Sequence, residues 1–549
     1  MNNAANGVSG TAENTVSANA EATVFRWKIA LIIVTVCAVW TICVRWWFGD
    51  DGTYRVMFLL PAVFGLPLGL LLWWTFLSGL SWKLRLWGLA FVVATVGTFF
   101  YYYRVTGFYG QMIPILEARS TPTATERATA YWKSTAVDQQ SDQPADDEKP
   151  NTSPIDNDLE IATDDWPAAR GAKRDGIVTG LALRTDWNER PPKLLWKHPV
   201  GAGWSAFAIA DGLAFTQEQR GEEECVVCYD AVTGKQVWVH ADKMRFNEPM
   251  GGPGPRATPT VLESYLYTLG ATGQLNCLTS CTGKKVWSRN ILADAGGAKN
   301  LNWAMSGSPL VHGELVIVNP GGESGKGVIA YDRLTGKIRW AVGDEPAGYA
   351  GARVETIQGV EQLLVFDGTG LSAYDPTKGT ELWRFGPWEN GPQINVAQPI
   401  VRDERRIFIS SGYQVGSTLL NVEQVDKKWR VSQTWETPNK FKLKFNDGVY
   451  HDGHVYGLDE GILACIDYET GKRRWKGGRF GYGQLLLVGD RLLVLTETGE
   501  VVLVKASPDK LTVVTRIQAI EGKTWNYPAI AGGRLYVRNG AEAACFDLQ

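Results

Sequence analysis

Cys228-Tyr-Asp-Ala-Val-Thr-Gly-Lys-Gln-Val-Trp238 is a phrase that the chain repeats, with variations, along its C-terminal two-thirds. It returns as Cys277-Leu-Thr-Ser-Cys-Thr-Gly-Lys-Lys-Val-Trp287, Ala330-Tyr-Asp-Arg-Leu-Thr-Gly-Lys-Ile-Arg-Trp340, Ala373-Tyr-Asp-Pro-Thr-Lys-Gly-Thr-Glu-Leu-Trp383 and Cys465-Ile-Asp-Tyr-Glu-Thr-Gly-Lys-Arg-Arg-Trp475. Recurrence at roughly 40–50 residues marks a repeat architecture. Asp bonds the backbone of a tight turn and Gly takes its positive φ, so each copy predicts two strands around a turn, ending in Trp. Two more strand-like runs lie between copies, such as 260–269 and 310–318. Four strands per repeat predict a propeller blade.

Two eroded copies extend the series. The stretch 419–435 lacks the Gly, and 502–515 lacks the Trp. The chain ends on Cys545-Phe-Asp-Leu548, half a phrase, and the missing half stands at Lys193-Leu-Leu-Trp196. Pairing these two stretches closes the ring and removes open sheet edges, which predicts an all-β, eight-bladed β-propeller.

Cys228, Cys277, Cys465 and Cys545 share one repeat position with Ala330 and Ala373. A site that accepts either residue calls for a small buried apolar group, so these cysteines read as core. No zinc-ribbon spacing or disulfide framework is present, and Cys281 falls in a turn. Only His451 and His454 are close among the five histidines, in an Asp-Gly turn that argues against a metal site. A net charge of −3 offers no field for nucleic acid.

The N-terminal third is built differently. Residues 1–23 are Asn/Ala/Thr/Ser-rich and read as a disordered tail. Within 24–105, three apolar stretches (27–48, 56–80 and 84–103) are long enough to cross a bilayer, with aromatic clusters at their ends, which predicts a three-helix anchor in membrane lipid. Arg26, Lys28, Lys83 and Arg85 flank one side, against Arg45, Arg55 and Arg104 with Asp50 and Asp51 on the other. That bias places the N-terminus inside and the C-terminal domain in the periplasm of a bacterial inner membrane. Residues 106–165, acidic and Pro-containing towards their end, read as an extended linker to a globular domain at 166–549.

The A/C-x-D-x-x-T-G-K-x-x-W phrase resembles the tryptophan-docking motif of quinoprotein dehydrogenases, which bind pyrroloquinoline quinone (PQQ). It also resembles the propeller of the outer-membrane assembly lipoprotein, which lacks the cofactor. The segments Gln217-Glu-Gln-Arg-Gly221, Gly254-Pro-Arg-Ala-Thr-Pro259, Ser306-Gly-Ser-Pro309, Asn395-Val-Ala-Gln-Pro399 and Gly457-Leu-Asp-Glu-Gly461 are similar to PQQ-binding-like propeller proteins of bacteria. The resemblance implies the fold over 166–549. The dehydrogenases also use adjacent cysteines, a Trp floor and a calcium site of Glu, Asn and Asp. This sequence has no adjacent Cys pair and no heme-attachment C-x-x-C-H.

The starts of the innermost strands should converge on a funnel. They place there Trp204, Arg256, Trp303, Tyr349, Arg353, Asn395, Gln398, Lys440, Tyr482, Gln484, Trp525 and Asn526 as candidate ligand contacts. Aromatic faces with Arg and amides suit a flat polar ligand, a glycan or a peptide. General acid–base work wants carboxylates or His, and only Glu218, Glu355 and Asp447 are candidates, so no catalytic residue is assigned. Two readings follow. One is a membrane-anchored binding or scaffold module without catalysis, whose partner is an envelope protein or cell-wall material. The other is a dehydrogenase using PQQ and calcium that passes electrons to membrane quinone.

Overall fold

A computed structural model describes residues 26–48, 52–141, 159–388 and 393–549. The tail 1–23 and part of the linker, 142–158, lie outside these. The chain divides into a helical unit ending at Tyr103 and a larger unit running from Arg104 to the C-terminus.

The helical unit contains α1 (Trp27–Phe48), α2 (Gly52–Leu72) and α3 (Trp82–Tyr102), and a π-helical turn at Trp73–Leu77 extends α2. All three are long and apolar enough to cross a membrane. Gly88 of α3 lies against the Trp74 indole, where any side chain would collide.

The larger unit is an eight-bladed propeller, as the repeats predict. Among the described residues, eight sheets of four antiparallel strands follow one another, one of them with a fifth, parallel strand added. The first strands of neighbouring blades touch, which makes them the inner lining of the ring. The repeat phrase supplies the outer two strands of each blade. Its Asp accepts backbone and hydroxyl bonds within the turn, as Asp230 does from Val232, Thr233 N–H and Thr233 O–H. Its Cys or Ala lies opposite the Trp on the next strand: Cys228 pairs with Trp238, Cys277 with Trp287, Ala330 with Trp340 and Cys465 with Trp475. The position must be small because the indole covers it. Burial pushes the thiols of Cys225, Cys277, Cys465 and Cys545 up to about 12, so they are inert core groups. In the eroded copies Leu419 still faces Trp435, and Thr515 occupies the Trp position opposite Leu503.

Ring closure follows the split phrase. The strand Lys193–Pro199 pairs with Glu542–Asp547, placing Trp196 opposite Cys545. Trp196 donates to the Ala231 carbonyl of the next blade at 3.1 Å. Beside the seam lies a buried charge cluster. Arg538, fully enclosed, donates to the Gln217 and Gly201 carbonyls at 3.0 and 2.9 Å, while Glu218 is held below its usual range by Arg220 and Arg538 against its burial.

One expectation is corrected. Residues 106–141 are not an extended tether. Strands Tyr103–Phe108 and Pro114–Ala118 form a hairpin, and α4 (Ala124–Ser141) follows. Thr123 and Glu126 cap α4 reciprocally, with N–H···O bonds of 2.6 and 3.1 Å. The helix docks through Ala128, fully buried, and two aromatics: Tyr131 stacks on His198 at 5.2 Å, and Trp132 lies 3.8 Å beneath the Arg220 guanidinium. These few apolar side chains, rather than the acidic residues after them, decide the conformation of this stretch.

Candidate functional site

The starts of the inner strands surround a chamber of about 300 Å³. Its floor is built by a segment from outside the repeats. Trp166 pairs with Ile209 of the first blade, and the chain crosses the channel to reach Ile177–Val178, which adds a parallel fifth strand to the seventh blade at Leu487 and Val488. Tight turns allow this crossing, with Arg170, Gly171 and Arg174 at positive φ. Arg170 ion-pairs with Asp447 at 3.1 Å, and Tyr527 donates to the same carboxylate at 2.6 Å. Burial and that carboxylate hold the Tyr527 phenol well above its usual pKa.

The mouth carries a second insertion. The hairpin turn at Phe108, Tyr109, Gly110 and Met112 forms part of the chamber wall. Gly110 N–H donates to Glu497 Oε1 at 2.6 Å, and a β-carbon on Gly110 would lie 2.2 Å from the Tyr482 ring. Glu497 also accepts from the Trp525 indole at 2.8 Å.

Seven of the twelve candidate residues line the chamber: Trp204, Arg256, Trp303, Tyr349, Gln398, Gln484 and Trp525. Trp204 and Trp525 face each other at 5.2 Å, and Trp303 and Tyr349 at 5.9 Å. Arg256 is pinned by the Trp303 and Gly252 carbonyls at 3.1 and 2.7 Å, and burial lowers its pKa to about 10. Gln484 donates to the Phe445 and Trp525 carbonyls.

The other five have different places. Asn395 and Asn526 are fully buried braces, donating to the Asp367 carbonyl at 2.8 Å and the Ser205 carbonyl at 2.8 Å. Tyr482 is buried behind Gly110 and donates to Glu460 at 2.6 Å. Lys440 is exposed. Arg353 faces a second cavity beyond the floor, with Glu355. Of the three candidate acids only Asp447 reaches the chamber, and it is spent on the floor.

Two lysines, one lining the chamber and one beside it, were not among the twelve candidates. Lys444 is buried, its ammonium 4.7–5.0 Å from the rings of Tyr413, Phe445 and Tyr482. It sits within the same inner-strand approach as Lys440, four residues on, which is the signal that could have located it. Lys523 lies 3.6 Å over Trp525 and donates to the Met250 carbonyl at 2.9 Å. Burial lowers its pKa to about 8, although the Glu497 charge works the other way. Among the described residues, no three His, Cys, Asp or Glu side chains converge as metal ligands. The arrangement can stack a flat or aliphatic group, donate from ammonium and indole groups, and shield both from water.

Comparisons with known proteins bear on this architecture. Over 142 residues the chain is 30% identical to the dehydrogenase subunit of the quinone alcohol dehydrogenase of Acetobacter aceti, covering 24% of this chain and only 18% of that protein. Among solved structures, the quinohemoprotein alcohol dehydrogenase of Comamonas testosteroni superposes with a TM-score of 0.52 at 13% identity, covering 70% of this chain and 81% of that one. BamB of Moraxella catarrhalis gives 0.46 at 15% identity, covering 65% and 98%. The profile described as outer membrane protein assembly factor BamB matches residues 222–477 and 460–546, more than half of the chain. With eight blades closed by a split strand and that match across most of them, the chain belongs to the family of the outer membrane protein assembly factor BamB.

Proposed function

We propose that this protein is a membrane-anchored binding and scaffold module of the bacterial envelope, with no catalysis of its own. The observation that carries this reading is that, among the described residues, the carboxylate lining the chamber and the two beside it already have protein partners. Asp447 is held by Arg170 and Tyr527. Glu497 is held by Gly110 and Trp525, and Glu248 accepts from Met250 at 2.8 Å and ion-pairs with Arg256 at 3.7 Å. A general base needs a lone pair free for substrate, and these have structural partners. The mouth already holds one polypeptide turn of this chain against Glu497 and the Tyr482 ring, and the aromatic faces left in the chamber suit the side chains of a second peptide. The three apolar helices serve as the anchor, and the basic residues around them favour a propeller on the periplasmic side of the inner membrane.

The quinone dehydrogenase reading draws on the local 30% identity to such an enzyme. The residues present fit the cofactor poorly. Among the described residues, the acids at and beside the chamber already have protein partners, and no three His, Cys, Asp or Glu side chains converge to hold the divalent cation that accompanies the quinone. Titration of the purified full-length protein with PQQ and calcium separates the readings. The expected result is no saturable quinone absorbance and no alcohol- or sugar-dependent dye reduction. Stoichiometric binding with turnover would overturn the scaffold reading. As a positive arm, a photo-cross-linker at Trp303 in intact cells should give a discrete adduct with an envelope protein.

A further inference from the structure

Beyond the floor, at the opposite end of the channel, lies a second cavity of about 400 Å³. Five basic side chains line it, Arg170, Lys173, Arg174, Arg353 and Arg402, against two acids, Asp175 and Glu355. The two acids offset only part of this charge. Glu355 pairs with Arg353, Asp175 accepts from the Ile177 N–H at 3.0 Å, and Arg170 is turned to Asp447 on the chamber side. Arg174, 5% exposed, has no carboxylate partner among the described residues. Its two terminal nitrogens are anchored to the Ser308 and Pro309 carbonyls at 2.8 and 2.9 Å.

The guanidinium edges are incompletely satisfied. The Nε groups of Arg174, Arg353 and Arg402 are buried and find no acceptor in the protein. Arg353 is 8% exposed, with one terminal nitrogen on the Pro399 carbonyl at 3.0 Å. The Arg402 guanidinium lies over the Tyr450 ring, 4.5 Å from its centre. Buried donors without acceptors are costly unless something supplies a lone pair. Several fixed guanidinium groups converging on one pocket are the arrangement that binds multiply charged oxyanions. Burial, with the neighbouring charge of Arg353 added and that of Asp447 opposing, lowers the Arg174 pKa to about 10.

We propose that this cavity is a binding site for a small oxyanion carrying two or more negative charges, held by Arg174, Arg353, Arg402 and Lys173. It is separate from the chamber, since the crossing segment 166–178 stands between them. An anion there would bridge that segment to the third, fourth and fifth blades, tying the propeller's N-terminal strap to its inner wall.

The test uses the full-length protein in detergent, in buffer free of phosphate and sulfate, with pyrophosphate as the probe in titration calorimetry. The expected result is saturable one-to-one binding that weakens with salt. Arg353→Gln, and the double variant Lys173→Gln/Arg402→Gln, should each weaken it about tenfold or more. The double variant alters rim side chains that carry no described backbone carbonyl bond, so it keeps the experiment decisive if Arg353→Gln misfolds. Lys444→Met, in the chamber, should leave pyrophosphate affinity unchanged. Absence of saturable binding at millimolar pyrophosphate, unaltered affinity in the double variant, or loss only in Lys444→Met would each overturn the proposal.

Discussion

The indole of Trp238 packs against Gly283 of the following blade so closely that a β-carbon on Gly283 would lie 2.4 Å from it. The two residues belong to successive copies of one phrase. The same relation joins Trp196 to Gly234, Trp287 to Gly336, Trp340 to Gly379 and Trp435 to Gly471. The Trp of each copy therefore depends on the Gly of the next. Gly283 also has φ +68°, a conformation that side chains resist. Gly283→Ala should lose about 2–4 kcal/mol, because strain and collision add. Gly313, at φ +55° with open space around it, is the control, and Gly313→Ala should lose only about 1–2 kcal/mol. Denaturant unfolding of both variants, with equal losses, would show that the Trp contact adds nothing.

Closure of the ring rests on Trp196. Its ring stacks on His198 at 5.0 Å, and His198 in turn stacks on Tyr131 of α4. Trp196→Ala should cost about 3–5 kcal/mol and leave a void at the seam. Hydrogen exchange should then accelerate first in 193–199 and 542–547. Uniform acceleration over all blades would contradict a seam of this kind.

The repeats made the blades legible because Asp, Gly and Trp each carry one local demand. Trp383 shows the limit of that legibility. Its successor copy lacks Gly, and its indole donates instead to Gln362 of its own blade at 2.6 Å. The chamber was half-legible. Residues at inner-strand starts were found, but whether Arg353 faces the chamber or the far cavity depends on a single step of strand alternation. Arg170 and Gly110 were invisible, since they arrive from segments with no repeat to align. The fold of 106–141 was hidden for another reason: its short elements gain their stability from docking Tyr131 and Trp132 onto the propeller, not from their own periodicity.

The turn at the mouth should be separable from the ring that holds it. Gly110→Ala would press a methyl group into Tyr482 and displace the turn from Glu497. Amide exchange in 108–112 should rise by at least about tenfold, while the melting temperature of the propeller stays within a degree or so of the parent. A large fall in melting temperature would show that the turn is part of the core.

Lys523 offers a chemical readout of the chamber. With its pKa lowered to about 8, its amine should react with acylating reagents near neutral pH ahead of surface lysines. Glu497 favours the protonated form, so Glu497→Gln should move the labelling midpoint down. Peptide mass spectrometry across pH 6–10 checks both, and a midpoint that rises in Glu497→Gln would contradict the assignment.

Glu224 couples stability to pH. It is buried, accepts from the Ala271 N–H at 3.0 Å, and has a second oxygen with no protein donor. Burial raises its pKa from 4.5 to about 7, against the backbone bond and Arg256, which lower it. The folded state thus holds a proton on Glu224 that the unfolded chain has released, over the window from about 4.5 to 7. The contribution is fully present below 4.5 and is lost as pH rises through 7. Glu224→Gln keeps an acceptor for Ala271 and carries no charge at any pH. It should match the parent's melting temperature below about pH 4.5, exceed it increasingly as pH rises from about 4.5 to 7, and keep a constant margin above that. A difference that is constant from pH 5 to 8.5 would mean that this carboxyl does not titrate in the folded protein.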